Sequence, residues 1–143
     1  MSALAHSFPL RVFYEDTDAG GMVYHANYLK FAERGRSEML RSLGFPHRKL
    51  GAEHGVGFAV RRCAVDYLSP ARLEDALIVD TMLGEVGAAT LRLRQQIRRD
   101  GQLLADLDIL VACIGRDGRP RRLPTELRAI LASDRPAPAP HAP

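Results

Sequence analysis

Residues 16–28 read DTDAGGMVYHANY, which places two carboxylates, two adjacent glycines and one histidine between a strand-like run and a helical pattern. No serine or cysteine stands among them to act as a nucleophile. The chemistry therefore falls to a carboxylate, to the histidine, or to the backbone. Gly20 and Gly21 permit unusual backbone angles and close approach by a substrate. The peptide N–H groups around Tyr24, His25, Ala26 and Asn27 fall where a helix begins, unpaired and at the positive end of its dipole. Such a helix start stabilises the oxyanion that forms when a carbonyl is attacked. Asp18, at the other end of the loop, can return to the same place as base or nucleophile.

That pairing suits a good leaving group. Alkoxide or amide departure usually needs a general acid, whereas a thiol, with a pKa of about 8.5, leaves as thiolate. A thioester carbonyl is also less resonance-stabilised than an ester. A carboxylate and an oxyanion hole then suffice, and the chemistry is thioester hydrolysis. Three other readings compete. The two aspartates form ordinary turns in the blandest of them. As a calcium loop, the stretch has Gly20 at the fifth position and Asn27 at the twelfth, where a bidentate glutamate belongs. An aspartyl-phosphate mechanism needs a parallel α/β sheet, and the later chain reads as antiparallel hairpins.

The elements around the loop must hold it in place. Residues 8–14 (FPLRVFY) read as a first strand. Tyr28, Ala32, Gly35, Met39 and Leu43 recur at helical spacing, with Asn27 as N-cap, Gly44 just past the end and Pro46 blocking continuation. Gly35 in mid-helix points to close approach by another backbone. Residues 47–53 add a helical turn. Val56, Phe58 and Val60 alternate, and then Cys63, Val65 and Tyr67 alternate with the opposite parity. The slip at Arg61-Arg62 is a β-bulge or bend. Residues 77–83 form a further strand, with a turn at 84–87. In the next hairpin a three-residue loop, Arg99-Asp100-Gly101, sets Leu93 against Leu107 and Ile97 against Leu103. It also sets Arg92 and Arg94 against Asp108 and Asp106. A two-residue loop would set Leu93 against Asp108, so the three-residue register is preferred. Residues 121–123 read as a short returning strand, and Pro124 opens a final helix running to Ala132. The expected fold is α+β: a curved antiparallel sheet around one long helix, one domain over 1–132, with a disordered Pro/Ala-rich tail over 133–143.

Composition narrows the class. The chain has 143 residues, 46% hydrophobic and 26% charged, and a formal net charge of +3. Almost all the positive charge is arginine, which suits phosphate groups but also a plain solvated surface. Acids interleave with the arginines at Asp106, Asp108 and Asp117, and no one-sided basic helix is present, which argues against nucleic acid. Cys63 and Cys113 sit in apolar runs and read as small hydrophobes, neither a disulfide framework nor a zinc site. His47 and His54 read as surface residues, and His6 as part of the terminus. MSALAHSFPL has no signal-peptide pattern and no window reaches a membrane span, so a cytoplasmic location without membrane insertion is expected.

The run from Tyr14 to Phe31, YEDTDAGGMVYHANYLKF, followed by Glu33, Arg34 and Arg36, resembles the hotdog-fold acyl-CoA thioesterases of the 4-hydroxybenzoyl-CoA type. It is most similar to the subgroup associated with the bacterial Tol–Pal envelope system. The likeness is dense to about Leu43 and continues in pieces such as Val65-Asp-Tyr-Leu-Ser-Pro70. It implies a sheet wrapped around the helix, dimers with a continuous sheet and active sites at the subunit interface, and dimers that pair into tetramers. The family's catalytic aspartate falls on Asp18 and its backbone oxyanion donor on His25. Tyr14 and the His25 imidazole also line the site in that subgroup. Gly21 and Tyr24 fall on the substrate side, and Arg61 and Arg62 are candidates for the coenzyme A phosphates. No metal or cofactor is called for. The rival function is a non-catalytic module that holds acyl-CoA or acyl carrier protein in an envelope or lipid-synthesis complex.

Overall fold

The computed structural model describes residues 5–133. The expected tail lies outside the described residues, apart from Ser133. Five strands form one antiparallel sheet: β1 (Ala5–Arg11), β2 (Val56–Tyr67), β3 (Ala76–Val86), β4 (Thr90–Arg99) and β5 (Gln102–Gly115), in the order β1-β3-β4-β5-β2. The long helix α1 (Asn27–Ser42) lies across the sheet, chiefly on β1, β3 and β4. A short α2 (His47–Lys49) runs into a π-helical turn over Leu50–His54, and α3 (Thr125–Leu131) closes the described chain. This is the α+β arrangement of a curved sheet around one helix.

The first strand is shifted from its expected place. It spans Ala5–Arg11, which buries His6, and Tyr14 instead opens a 3-10 turn over Tyr14–Asp16. Pro9 is tolerated because β1 lies at the sheet edge.

The helix buries Tyr28, Phe31, Ala32, Gly35, Met39 and Leu40 on one face. Each large apolar side chain removed from water contributes about 1.5–3 kcal/mol. Gly35 is needed because a Cβ there would lie 2.7 Å from Val79 Cγ1 and 3.2 Å from both Gln95 Nε2 and Thr81 Oγ1. Strand side chains, not another backbone, make the close approach. Gln95 is fully buried, and its Nε2 donates to the Ala32 carbonyl and to Thr81 Oγ1, both at 2.8 Å. Its Oε1 accepts from Arg36 Nη1 at 3.0 Å, so one residue binds α1 to two strands. Gly35→Ala is expected to lower stability by about 1–3 kcal/mol through overpacking, outweighing the roughly 1 kcal/mol helix-propensity gain. Val79 is β-branched and fully buried, so it has no free rotamer into which to retreat. An unchanged denaturation midpoint would contradict this close approach.

The hairpin joining β4 and β5 corrects the expected register. Its turn has two residues, Asp100 (φ 49°) and Gly101 (φ 80°), both left-handed as a type I′ turn requires. Arg99 then pairs with Gln102 and Arg98 with Leu103, but a bulge between Ile97 and Arg98 advances the strand. Leu93 therefore faces Ile109 and Ile97 faces Ala105, not Leu107 and Leu103. The bulge restores apolar partners that the two-residue turn alone would lose. Arg92–Asp108 and Arg94–Asp106 form at 3.1 and 2.8 Å, but diagonally across the ladder.

The slip at Arg61-Arg62 is a bulge between Val60 and Arg62. The turn expected at 84–87 is not there: Gly84 lies inside β3 at a third bulge, between Leu83 and Val86, and the chain reverses between Gly87 and Thr90. Residues 121–123 form no strand, although Arg121 N–H still donates to the Cys113 carbonyl. Pro124 precedes α3 as its cap and not as its first turn.

Strand β2 occupies a sheet edge, bonded only to β5. Val60, Cys63, Val65 and Tyr67 stand opposite Val111, Ile109, Leu107 and Ala105, which are buried. They share the inner face with those partners, yet Cys63 is exposed and Val60 and Tyr67 are 50% and 48% exposed. The helix does not reach far enough to cover them. Cys113, by contrast, is buried as expected.

Candidate active site

The loop between β1 and α1 is built around Asp16. Its carboxylate is buried; Oδ2 accepts the Phe13 N–H and Oδ1 accepts the Asn27 Nδ2 amide, each at 2.9 Å. One side chain thus joins the start of the loop to the first residue of the helix. Asn27 is consequently not the N-cap: Ala26 takes that place, and the Asn27 side chain is turned back onto Asp16. The Asp16 carbonyl also accepts the Tyr24 N–H at 2.9 Å.

Within this frame residues 17–23 make a small hairpin. Thr17 bridges Val23, and Asp18 N–H donates to the Met22 carbonyl at 2.8 Å. Gly21 turns the chain at φ 77°, a backbone angle that glycine adopts without strain. Asp18 is exposed. Its Oδ1 accepts the N–H groups of Gly20 at 2.9 Å and Met22 at 3.3 Å. Its Oδ2 has no partner among the described residues. One oxygen anchors the carboxylate and the other is free to react.

At the helix start, successive peptides are held by their carbonyl ends. The Tyr24 carbonyl accepts the Asn27 N–H at 2.8 Å, the His25 carbonyl accepts the Tyr67 hydroxyl at 3.0 Å, and the Ala26 carbonyl accepts the Leu29 N–H at 3.2 Å. Among the described residues, the N–H groups of His25 and Ala26 have no acceptor. A fixed peptide with an unclaimed N–H is what an oxyanion hole requires. The His25 imidazole lies between the Tyr24 ring, 4.5 Å away, and the edge of Tyr67 at 6.4 Å.

A cleft of about 260 Å³ opens beside this helix start, lined by Met22, Val23, His25, Tyr28, Tyr67 and the 68–70 segment. Met22 connects the two halves of the site, because its N–H binds Asp18 while the residue itself lines the cleft with His25. Of the residues expected from sequence, Asp18, Gly21, Tyr24 and His25 lie on this one loop, and of these His25 alone lines the cleft, with Asp18 reaching it through Met22. Tyr14 is not brought to the cleft: its side chain is 82% exposed and its carbonyl is occupied by Thr17. Arg61 and Arg62 are exposed on β2, Arg61 at the bulge itself, and neither lines the cleft. Two residues were missed, Tyr28 and Tyr67. Tyr28 is buried, and its hydroxyl accepts the Ala71 N–H at 2.9 Å, fixing the far wall. Tyr67 was visible as the last member of an alternating strand and within the Val65–Pro70 piece, neither of which gave it a role. His47 is exposed as expected, its Nε2 lying 2.8 Å from Ser37 Oγ.

Residues 12–141 match the thioesterase-like superfamily. A relative in Haemophilus influenzae, acyl-CoA thioesterase YbgC, is 44% identical over 126 residues, covering 87% of this chain and 93% of the relative. Among solved structures, a probable thioesterase from Bartonella henselae has a TM-score of 0.82 at 37% identity, over 84% of this chain and 99% of that one. A 4-hydroxybenzoyl-CoA thioesterase complexed with 4-hydroxybenzoyl-CoA reaches a TM-score of 0.83 at 21% identity, over 92% of this chain and 100% of that one. At that identity the likeness is one of fold, and the fold is the hotdog. The chain belongs to the thioesterase-like superfamily.

Proposed function

We propose that this protein hydrolyses an acyl-CoA thioester to a free acid and coenzyme A, with Asp18 as the reacting carboxylate and the His25 N–H as oxyanion donor. The observation that carries the reading is near-full-length kinship to a relative named as an acyl-CoA thioesterase. The loop geometry gives that kinship a mechanism. In one route Asp18 Oδ2 takes a proton from water as the water oxygen bonds to the acyl carbon. In the other, Oδ2 itself bonds to that carbon and water then hydrolyses the mixed anhydride. Either way the carbon–sulfur bond breaks and coenzyme A leaves as thiolate. Release of free thiol from a panel of short, long and aromatic acyl-CoAs tests the proposal. Tight binding with no thiol release would favour a module that only holds acyl-CoA or acyl carrier protein.

The uncovered inner face of β2 supports a dimer as the working unit. A second copy pairing along β2 would extend the sheet and bury Val60, Cys63 and Tyr67, with dimers pairing into tetramers as the resemblance implies. Tyr14 and the imidazole of His25 are proposed to meet the acyl group from the rim of the site. Arg61 and Arg62 would offer their guanidinium forks to the coenzyme A phosphates. The loop pattern supports the Tol–Pal-associated subgroup, and a cytoplasmic location is proposed with it; no helix among the described residues is long and apolar enough to cross a membrane. Val60→Glu would set like charges on an apolar junction. It is expected to yield monomers in sedimentation and to cut thiol release at least about tenfold. A dimer with full activity would contradict this role for β2.

A further inference from the structure

Tyr67 makes an unusual set of contacts for the last residue of an edge strand. Its hydroxyl donates to the His25 carbonyl at 3.0 Å, across from strand to helix start. Its ring meets His25 edge-on at 6.4 Å and Tyr28 at 5.4 Å. Tyr28 in turn accepts the Ala71 N–H, so two tyrosines clasp the helix start and the 68–71 segment together around the cleft. That carbonyl belongs to the His25–Ala26 peptide, which adjoins the His25 N–H through one Cα, so the hydroxyl holds the peptide next to the proposed oxyanion donor.

Resting on the thioesterase reading above, we propose that Tyr67 is a positioning residue of the oxyanion hole: by bonding the His25 carbonyl and flanking the His25 ring it fixes the His25–Ala26 peptide beside the His25 N–H. The hydroxyl does not touch the reacting atoms. Its effect appears only as charge builds on the acyl oxygen, because loosening the His25–Ala26 peptide lets the adjoining His25 N–H drift, which weakens transition-state binding more than ground-state binding. Partial burial of the phenol, with Cys63 and Tyr28 beside it, pushes Tyr67 above the usual tyrosine range, so it is a neutral donor at physiological pH. Its place on β2 also links the oxyanion hole to the strand proposed to join the two subunits.

Tyr67→Phe removes the hydroxyl and keeps the ring contacts. In thiol-release assays kcat is expected to fall about tenfold with KM within about twofold, as for a group that acts only in the transition state. Backbone amide exchange at Asn27 and Leu29, whose N–H groups bond the Tyr24 and Ala26 carbonyls, is expected to quicken while the melting temperature is unchanged. Tyr67→Ala, which also removes the ring, is expected to lose more of kcat than Tyr67→Phe. Wild-type kcat in Tyr67→Phe would overturn the inference, as would a parallel loss of kcat and melting temperature with no selective change at the helix start. No thiol release by the wild-type protein on any acyl-CoA would instead overturn the thioesterase reading, and this inference with it.

Discussion

Asp18→Asn is expected to lower kcat by roughly a thousandfold, in the range that loss of a positioned base or nucleophile produces. Asparagine keeps the volume, and its single oxygen can still accept the Gly20 and Met22 N–H groups that anchor Asp18 Oδ1. The loop therefore keeps its shape. An amide NH2 then takes the place of the open Oδ2, and an amide neither accepts a proton from water nor attacks a carbonyl. KM should move little, since the bound ground state loses no contact. Thiol-release kinetics alongside a thermal melt separate this from misfolding. Wild-type turnover in a folded Asp18→Asn protein would remove Asp18 from the mechanism.

Asp16→Ala is expected to be the next most damaging change, for a different reason. Asp16 does no chemistry in this account, because both its oxygens are occupied by Phe13 and Asn27. Removing it leaves the part-buried Phe13 N–H and the buried Asn27 amide without their acceptor, at about 1–3 kcal/mol for a fully buried donor and less for the other. The loop also loses its tie to the helix, so Asp18 and the His25 N–H no longer hold a common geometry. A misplacement of about 1 Å is enough to cost on the order of a hundredfold in rate. Unfolding by denaturant should thus show a stability loss of roughly 2–4 kcal/mol, and kcat should fall about a hundredfold even well below the melting temperature. Full activity at reduced stability would mean that the loop holds its geometry without Asp16.

Much of this was legible in the sequence because it is local. The 3.6-residue spacing from Tyr28 to Leu43 marks α1 to within a residue, and the parity change across Arg61-Arg62 marks the bulge in β2. The pairing of a carboxylate with a helix start is likewise a matter of short spacing. What the sequence hid is set by competition between distant groups. Asn27 has the chemistry of a cap, but a buried Asp16 eleven positions away claims its amide. The hairpin after β4 obeyed turn chemistry at Asp100-Gly101, and a bulge then repaired the apolar pairing, two effects that a single register count cannot express. Tyr67 lies 42 positions from His25, and nothing in a strand pattern announces a hydrogen bond to a helix start. Tyr14 in its 3-10 turn and the arginines at the β2 bulge are exposed and lie apart from the cleft, which local spacing does not express.

The central claim is that the carboxylate of Asp18 and the amide hydrogens at the start of α1 face one acyl carbon. A crystal structure of the Asp18→Asn protein with a bound acyl-CoA tests it most directly. The thioester oxygen is expected within hydrogen-bond reach of the His25 N–H, with the side chain at position 18 facing the carbonyl carbon. A thioester seated elsewhere, or one whose oxygen points away from the helix start in the assembled oligomer, would contradict it.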